Sequence, residues 1–141
     1  MSGGRWLWVL ALVAGACAGP AGSGGADRLN LSGKVIGGSG KHAIYVALWD
    51  ASGFLDKPVR EIRVEPGASA EFHFAVAEGQ WALSAYEDEN DNGKLDVSMF
   101  GPKEPSGFWR AFHAWRKPHF DDVAVEVDRD MADVEIRIGG K

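Results

Sequence analysis

Between Glu87 and Asp96 the chain reads Glu-Asp-Glu-Asn-Asp-Asn-Gly-Lys-Leu-Asp, a run of acids and asparagines around one lysine. Counted from Asp88, short oxygen-bearing side chains stand at positions one, three, five and nine (Asp88, Asn90, Asn92, Asp96), with Gly93 at position six. This is the first part of an EF-hand-type calcium loop. Calcium is a hard cation that takes about six to eight oxygens, and short side chains at alternate positions let a tightly wound loop converge on one point. Gly93 permits the sharp turn, and the Lys94 carbonyl is the natural ligand at position seven. Position twelve is Met99 rather than the bidentate Glu, so the loop is not a complete EF-hand and further oxygen must come from outside it. Glu104 is expected to supply it, with Asp121 or Asp122 behind. Because Asp88 and Asp96 are the charged ligands within the loop, affinity is expected at the weak end, roughly 10⁻⁴ to 10⁻³ M.

A plain turn is the competing reading. Asn92-Gly93 is a strong hairpin signal, and Asp and Asn fill turns without any metal. Like charges about 4 Å apart repel by roughly 4 kcal/mol at an effective dielectric near 20. A cation would relieve that repulsion; splaying into water would also relieve much of it.

A second cluster mixes aromatic and basic residues: Phe108, Trp109, Arg110, Phe112, His113, Trp115, Arg116 and Lys117. Trp109 and Trp115 with Arg110 and Arg116 would suit a glycan, an anionic lipid headgroup or a partner protein. Alternatively, Phe108, Phe112 and Trp115 cap an open end of the core while the cations reach past them into water. Catalytic signatures are missing: the sequence has neither Gly-x-Ser-x-Gly nor His-Glu-x-x-His. No catalytic residue is assigned. The alternative to a non-enzymatic module is a hydrolase using carboxylates near the loop, such as Glu104 with Asp121. The net charge of −5 argues against nucleic-acid binding.

These residues must be positioned by strands, because from Leu29 onward the pattern has period two. Leu29, Leu31, Gly33 and Val35 alternate with polar residues. Ile44, Val46 and Leu48 follow, in a run apolar on both faces that predicts a central strand. Ile62 with Val64 predicts an exposed strand, and Phe72, Phe74, Val76 and then Trp81, Leu83, Ala85 predict two more. Val123, Val125, Val127 and Val134, Ile136, Ile138 complete about seven strands. The fold expected is an all-β sandwich of immunoglobulin or transthyretin type. One short helix or loop insert is expected near 106–116, with Ser106 as cap and Pro118 as stop.

Residues 1–18 read as a signal peptide: Arg5, an apolar run from Trp6 to Ala14, then small residues. Residues 19–28 read as a Gly-rich linker and 29–139 as the domain. Cys17 stands where a bacterial lipoprotein would carry its acyl anchor, although Ala14 occupies a position that pattern usually gives to Leu, Val or Ile. The chain is therefore expected to be exported, to the periplasm or beyond, with contact to a membrane only through an acylated Cys17.

The segments Ala85–Asp96, Phe100-Gly101-Pro102-Lys103-Glu104, Gly107-Phe108 and Pro118–Asp122 together resemble a bacterial family of exported proteins known as domain of unknown function 2141. The likeness spans roughly Leu29 to Ile138. It implies an exported β-sandwich and no catalytic residue. After Gly107-Phe108 that family tends to carry a Ser-Asn pair, whereas this chain has Trp109-Arg110.

Overall fold

The computed structural model describes residues 28–67, 69–112 and 116–139. The expected leader, Cys17, and His113 and Trp115 of the aromatic-basic cluster lie outside the described residues, as does all of the linker except Arg28.

Each expected strand forms. β1 (Arg28–Ile36), β2 (Ile44–Trp49), β3 (Arg60–Val64), β4 (Glu71–Ala77) and β5 (Gly79–Glu87) follow one another in the first part of the described chain. Three short strands come next: β6 (Val97–Ser98), β7 (Gly101–Pro102) and β8 (Ser106–Phe108). A single turn of helix, α1 (Phe120–Val123), leads into β9 (Val125–Val127) and β10 (Met131–Arg137).

One sheet has the order β10-β1-β4, with β1 parallel to β10 and antiparallel to β4. The other has the order β3-β2-β5-β8, and β9 also pairs with β5. β6 and β7 form a separate hairpin. The architecture is all-β and consistent with a sandwich.

The inward positions of both sheets build one core. Leu31 and Val35, Phe72, Phe74 and Val76, and Val134 and Ile136 come from the first sheet; Val46, Leu48, Leu83 and Ala85 come from the second. Each of these side chains larger than alanine contributes roughly 1.5–3 kcal/mol on leaving water. β2 lies between β3 and β5 and is buried on both faces, as its two-sided apolar run requires. β3 is an edge strand whose outward residues Arg60, Glu61 and Arg63 are charged, which discourages further strand pairing.

Two local expectations are corrected. Ser106–Phe108 is not a helix: Ser106, Gly107 and Phe108 pair with Tyr86, Ala85 and Ser84. The helical spacing of the aromatics loses to an open edge of β5 that needs hydrogen-bond partners. Gly107 also decides it, because a Cβ there would stand 2.0 Å from the Arg137 carbonyl oxygen. Only glycine lets β8 lie this close to the end of β10. Secondly, Val123 ends α1 rather than starting a strand. The Asp122 carboxylate accepts from the His119 N–H at 2.7 Å, which fixes the helical turn before Pro-free extended backbone resumes at Ala124.

Candidate functional site

β5 delivers the acidic loop. Leu83 and Ala85 point into the core, and the period of two carries Glu87 to the same face. Glu87 is 1% exposed, yet it is a carboxylate. Its Oε2 accepts from the Ser39 N–H at 2.8 Å and its Oε1 from the Ser39 hydroxyl at 2.9 Å. It thereby ties the β1–β2 turn to the end of β5. Tyr86, on the opposite parity, stacks on Tyr45 of β2 with ring centroids 5.3 Å apart. Burial, reinforced by Glu61 and Asp88, pushes the Tyr86 hydroxyl well above its ordinary pKa.

Asp88 comes next and is also 1% exposed. Its main-chain N–H donates to the Ala43 carbonyl at 2.9 Å. Its carboxylate turns back on the loop that follows, where Oδ1 accepts from the Asn92 N–H at 3.2 Å and Oδ2 from the Gly93 N–H at 2.7 Å. Winding a loop around one carboxylate requires left-handed backbone at Asp91 (φ 57°) and Gly93 (φ 77°). Aspartate tolerates that region better than most residues, and glycine adopts it freely. The loop lies over Tyr45, whose hydroxyl would be 3.8 Å from a Cβ at Gly93.

Glu104 returns from beyond the β6–β7 hairpin and is 6% exposed. Its Oε1 accepts from the Glu89 N–H at 2.9 Å and its Oε2 from the Asp96 N–H at 3.1 Å. One carboxylate therefore clamps both the start and the finish of the loop. Sequence reasoning named Glu104 as an outside oxygen ligand for the loop; the structure places its carboxylate on two main-chain N–H groups of that loop.

The outer rim behaves differently. The Asn92 amide donates to both Asp96 oxygens at 3.0 Å, and the Asn90 amide donates to Asp96 Oδ2. The Asn90 hydrogen bond, then that of Asn92, holds the Asp96 carboxyl below its ordinary pKa, with Lys94 and Lys103 adding a smaller pull. Asp96, Asn90 and Asn92 thus share one centre.

These groups fit a hard cation in part. Asp96 provides two oxygens at the shared centre. A half-turn of the Asn90 amide would put its oxygen where its nitrogen now lies. Asn92 would have to release the Lys94 N–H, which its Oδ1 accepts at 3.1 Å. Each Asp88 and Glu104 oxygen accepts one N–H, which leaves each with further lone-pair capacity. Among the described residues, no three His, Cys, Asp or Glu side chains gather as a ready-made cage.

The described residues Trp109, Arg110 and Arg116 of the aromatic-basic segment are engaged within the fold. Trp109 is half-buried against the core, and its main-chain N–H donates to the Leu83 carbonyl at 2.9 Å. Arg110 is exposed and reaches the Ala124 carbonyl at 3.3 Å. Arg116 forks onto Asp122 at 2.8 and 3.0 Å and lies 5.2 Å from the centre of the Phe112 ring. That pair holds the Asp122 carboxyl down at about 2. Asp122 is thus engaged away from the loop, while Asp121 is exposed on α1.

Sequence reasoning did not single out Glu87, Ser39, Tyr45 or Tyr86. The signal was present for Glu87, an acid continuing the inward register of Leu83 and Ala85.

Against known proteins, the family described as "Uncharacterized protein conserved in bacteria (DUF2141)" matches residues 38–135, which include the loop, Glu104 and β8. No curated protein and no solved structure matches.

Proposed function

The chain belongs to this DUF2141 family of bacterial proteins, and we propose that it is an exported module of the cell envelope, structural or binding in role, whose 88–96 loop takes up calcium. The observation that carries this reading is the division of labour in the loop. Asp88 and Glu104 brace the backbone from beneath, and Asp96, Asn90 and Asn92 meet above it. A bound ion would replace the amide donors around Asp96 and draw on the spare lone pairs of Asp88 and Glu104. The Lys94 carbonyl completes the set.

Export rests on the apolar run after Arg5, and an acyl group on Cys17 would fix the module to a membrane. The partner in this reading is a protein or a glycan. A carboxylate hydrolase would need two acids facing one open cleft. Here Asp88 and Glu104 face the loop backbone and Glu87 faces Ser39, which supports the module instead.

The test is thermal melting across a calcium titration. With a Kd near 10⁻³ M, ten times that concentration should stabilise the fold by about 1.4 kcal/mol, or raise its midpoint by about 5 °C. An unchanged midpoint at millimolar calcium would end the calcium reading. Mass spectrometry of the mature N-terminus tests export and acylation directly.

A further inference from the structure

A slot opens between the two sheets on the side where β3 and β4 are the terminal strands. It encloses about 200 Å³ and lies beside Trp81, at the opposite end of β5 from Glu87 and the acidic loop. Its floor is core: Leu48 and Val76 are 2% and 1% exposed. Val59, a strongly exposed hydrophobic side chain, stands at its wall. The Trp81 indole N–H donates to the Ala77 carbonyl at 2.9 Å, which holds that ring as a second wall.

Arg28 and Arg60 line the slot and no carboxylate does, in a chain with 20 acids against 15 Lys and Arg. None of the ion pairs among the described residues includes either guanidinium. Arg28 donates to the Ala75 carbonyl at 3.3 Å, which leaves its other N–H donors available. Arg60 opposes Leu48 in the β2–β3 register and so shares that residue's face of the sheet, whereas Glu61 opposes Ala47 and takes the other face. Glu78 stands in the β4–β5 turn, outside the lining. Two fork-shaped cations over an aliphatic floor are complementary to one carboxylate that carries an apolar tail. The volume is below the roughly 300–1,000 Å³ of a drug-sized pocket, so the tail is short. A glycan would instead set hydroxyls against Leu48, Val59 and Val76 and leave them unpaired.

We propose that the slot between β3 and β4 binds a medium-chain alkanoate, its carboxylate on Arg60 and Arg28 and its tail over Leu48, Val59 and Val76. The site is separate from the calcium loop and does not depend on it.

The experiment is an NMR titration of the isotope-labelled full chain with octanoate in EDTA, read at the Trp81 indole N–H. Octanoate is expected to shift that resonance saturably in the millimolar range, as suits a ligand of about ten non-hydrogen atoms. Octanol lacks the charge and acetate lacks the tail, and each is expected to bind about tenfold or more weakly than octanoate. R60Q is expected to melt as the parent does, because Arg60 is exposed, and to lose about tenfold in octanoate affinity. The absence of a saturable shift, equal affinity for octanol or acetate, or undiminished octanoate affinity in R60Q overturns the proposal. Because the titration runs in EDTA, its failure leaves the calcium melting result untouched.

Discussion

In the described part of the segment from Trp109 to Asp122, two arginines are engaged within the fold: Arg116 forks onto Asp122 and Arg110 donates to the Ala124 carbonyl oxygen. In the loop from Glu87 to Glu104, three carboxylates are buried, and none of the ion pairs among the described residues includes them. Their partners are main-chain N–H groups and one serine. Carboxylate oxygens that each accept a single N–H keep lone pairs that a hard cation could share. Where the structure describes it, the first segment is closed on itself through Arg110 and Arg116, whereas the buried acids of the second are held by uncharged donors. Composition alone points the other way, since the tryptophans and arginines look more like a binding patch than does a turn.

The largest effect should come from the base of the loop. Asp88→Ala removes the buried acceptor of the Asn92 and Gly93 N–H groups and should cost about 2 kcal/mol, read by urea denaturation. A loss below about 1 kcal/mol would mean that the carboxylate is not bracing the loop. Trp109→Ser comes next. Half-buried packing predicts about 2 kcal/mol, whereas a free surface patch would lose almost nothing. Asp96→Asn should leave the metal-free melting midpoint nearly unchanged and abolish the calcium-induced rise. A rise that survives would place the ion elsewhere.

The smallest effect lies in the closed segment. Arg116→Ala should hardly move the midpoint, as expected of an exposed pair. It should instead raise the Asp122 carboxyl from about 2 toward the ordinary 3.8, followed by NMR titration. The sign follows from the depressed value. Stability from Asp122 is fully present above its unfolded pKa and is lost as pH falls toward about 2, and Arg116→Ala should reduce that acid-range dependence to the part that the His119 N–H sustains.

Strand content was legible because burial imposes a period of two on Leu31–Val35, Phe72–Val76 and Val134–Ile138, and nothing local opposes it. β6, β7 and β8 were not, since two or three residues cannot display a period. Ser106–Phe108 was misread for a further reason: its pairing partner is β5, some twenty residues earlier, and its close neighbour is Arg137, thirty residues later. In the loop, the spacing Asp88-x-Asn90-x-Asn92-Gly93 identified the turn. It could not distinguish Asp88, braced inward, from Asp96 on the rim, because that depends on how deep the end of β5 sits. Glu104 was named because the motif lacks an oxygen at Met99, but its hold on the Glu89 and Asp96 N–H groups was not legible, since it depends on the path of β6 and β7.

The parallel pairing of β1 with β10 has a kinetic consequence. The opening strand of the domain finds one of its two neighbours only in the final strand, Leu31 beside Met131 and Val35 beside Ile136. Contacts this distant in sequence carry a large loop-closure entropy and slow the search, toward the millisecond-to-second range typical of such topologies. Until Ile136 and Ile138 arrive, Leu31 and Val35 have no cover on that side, so this sheet stays uncommitted until residues 131–138 are available.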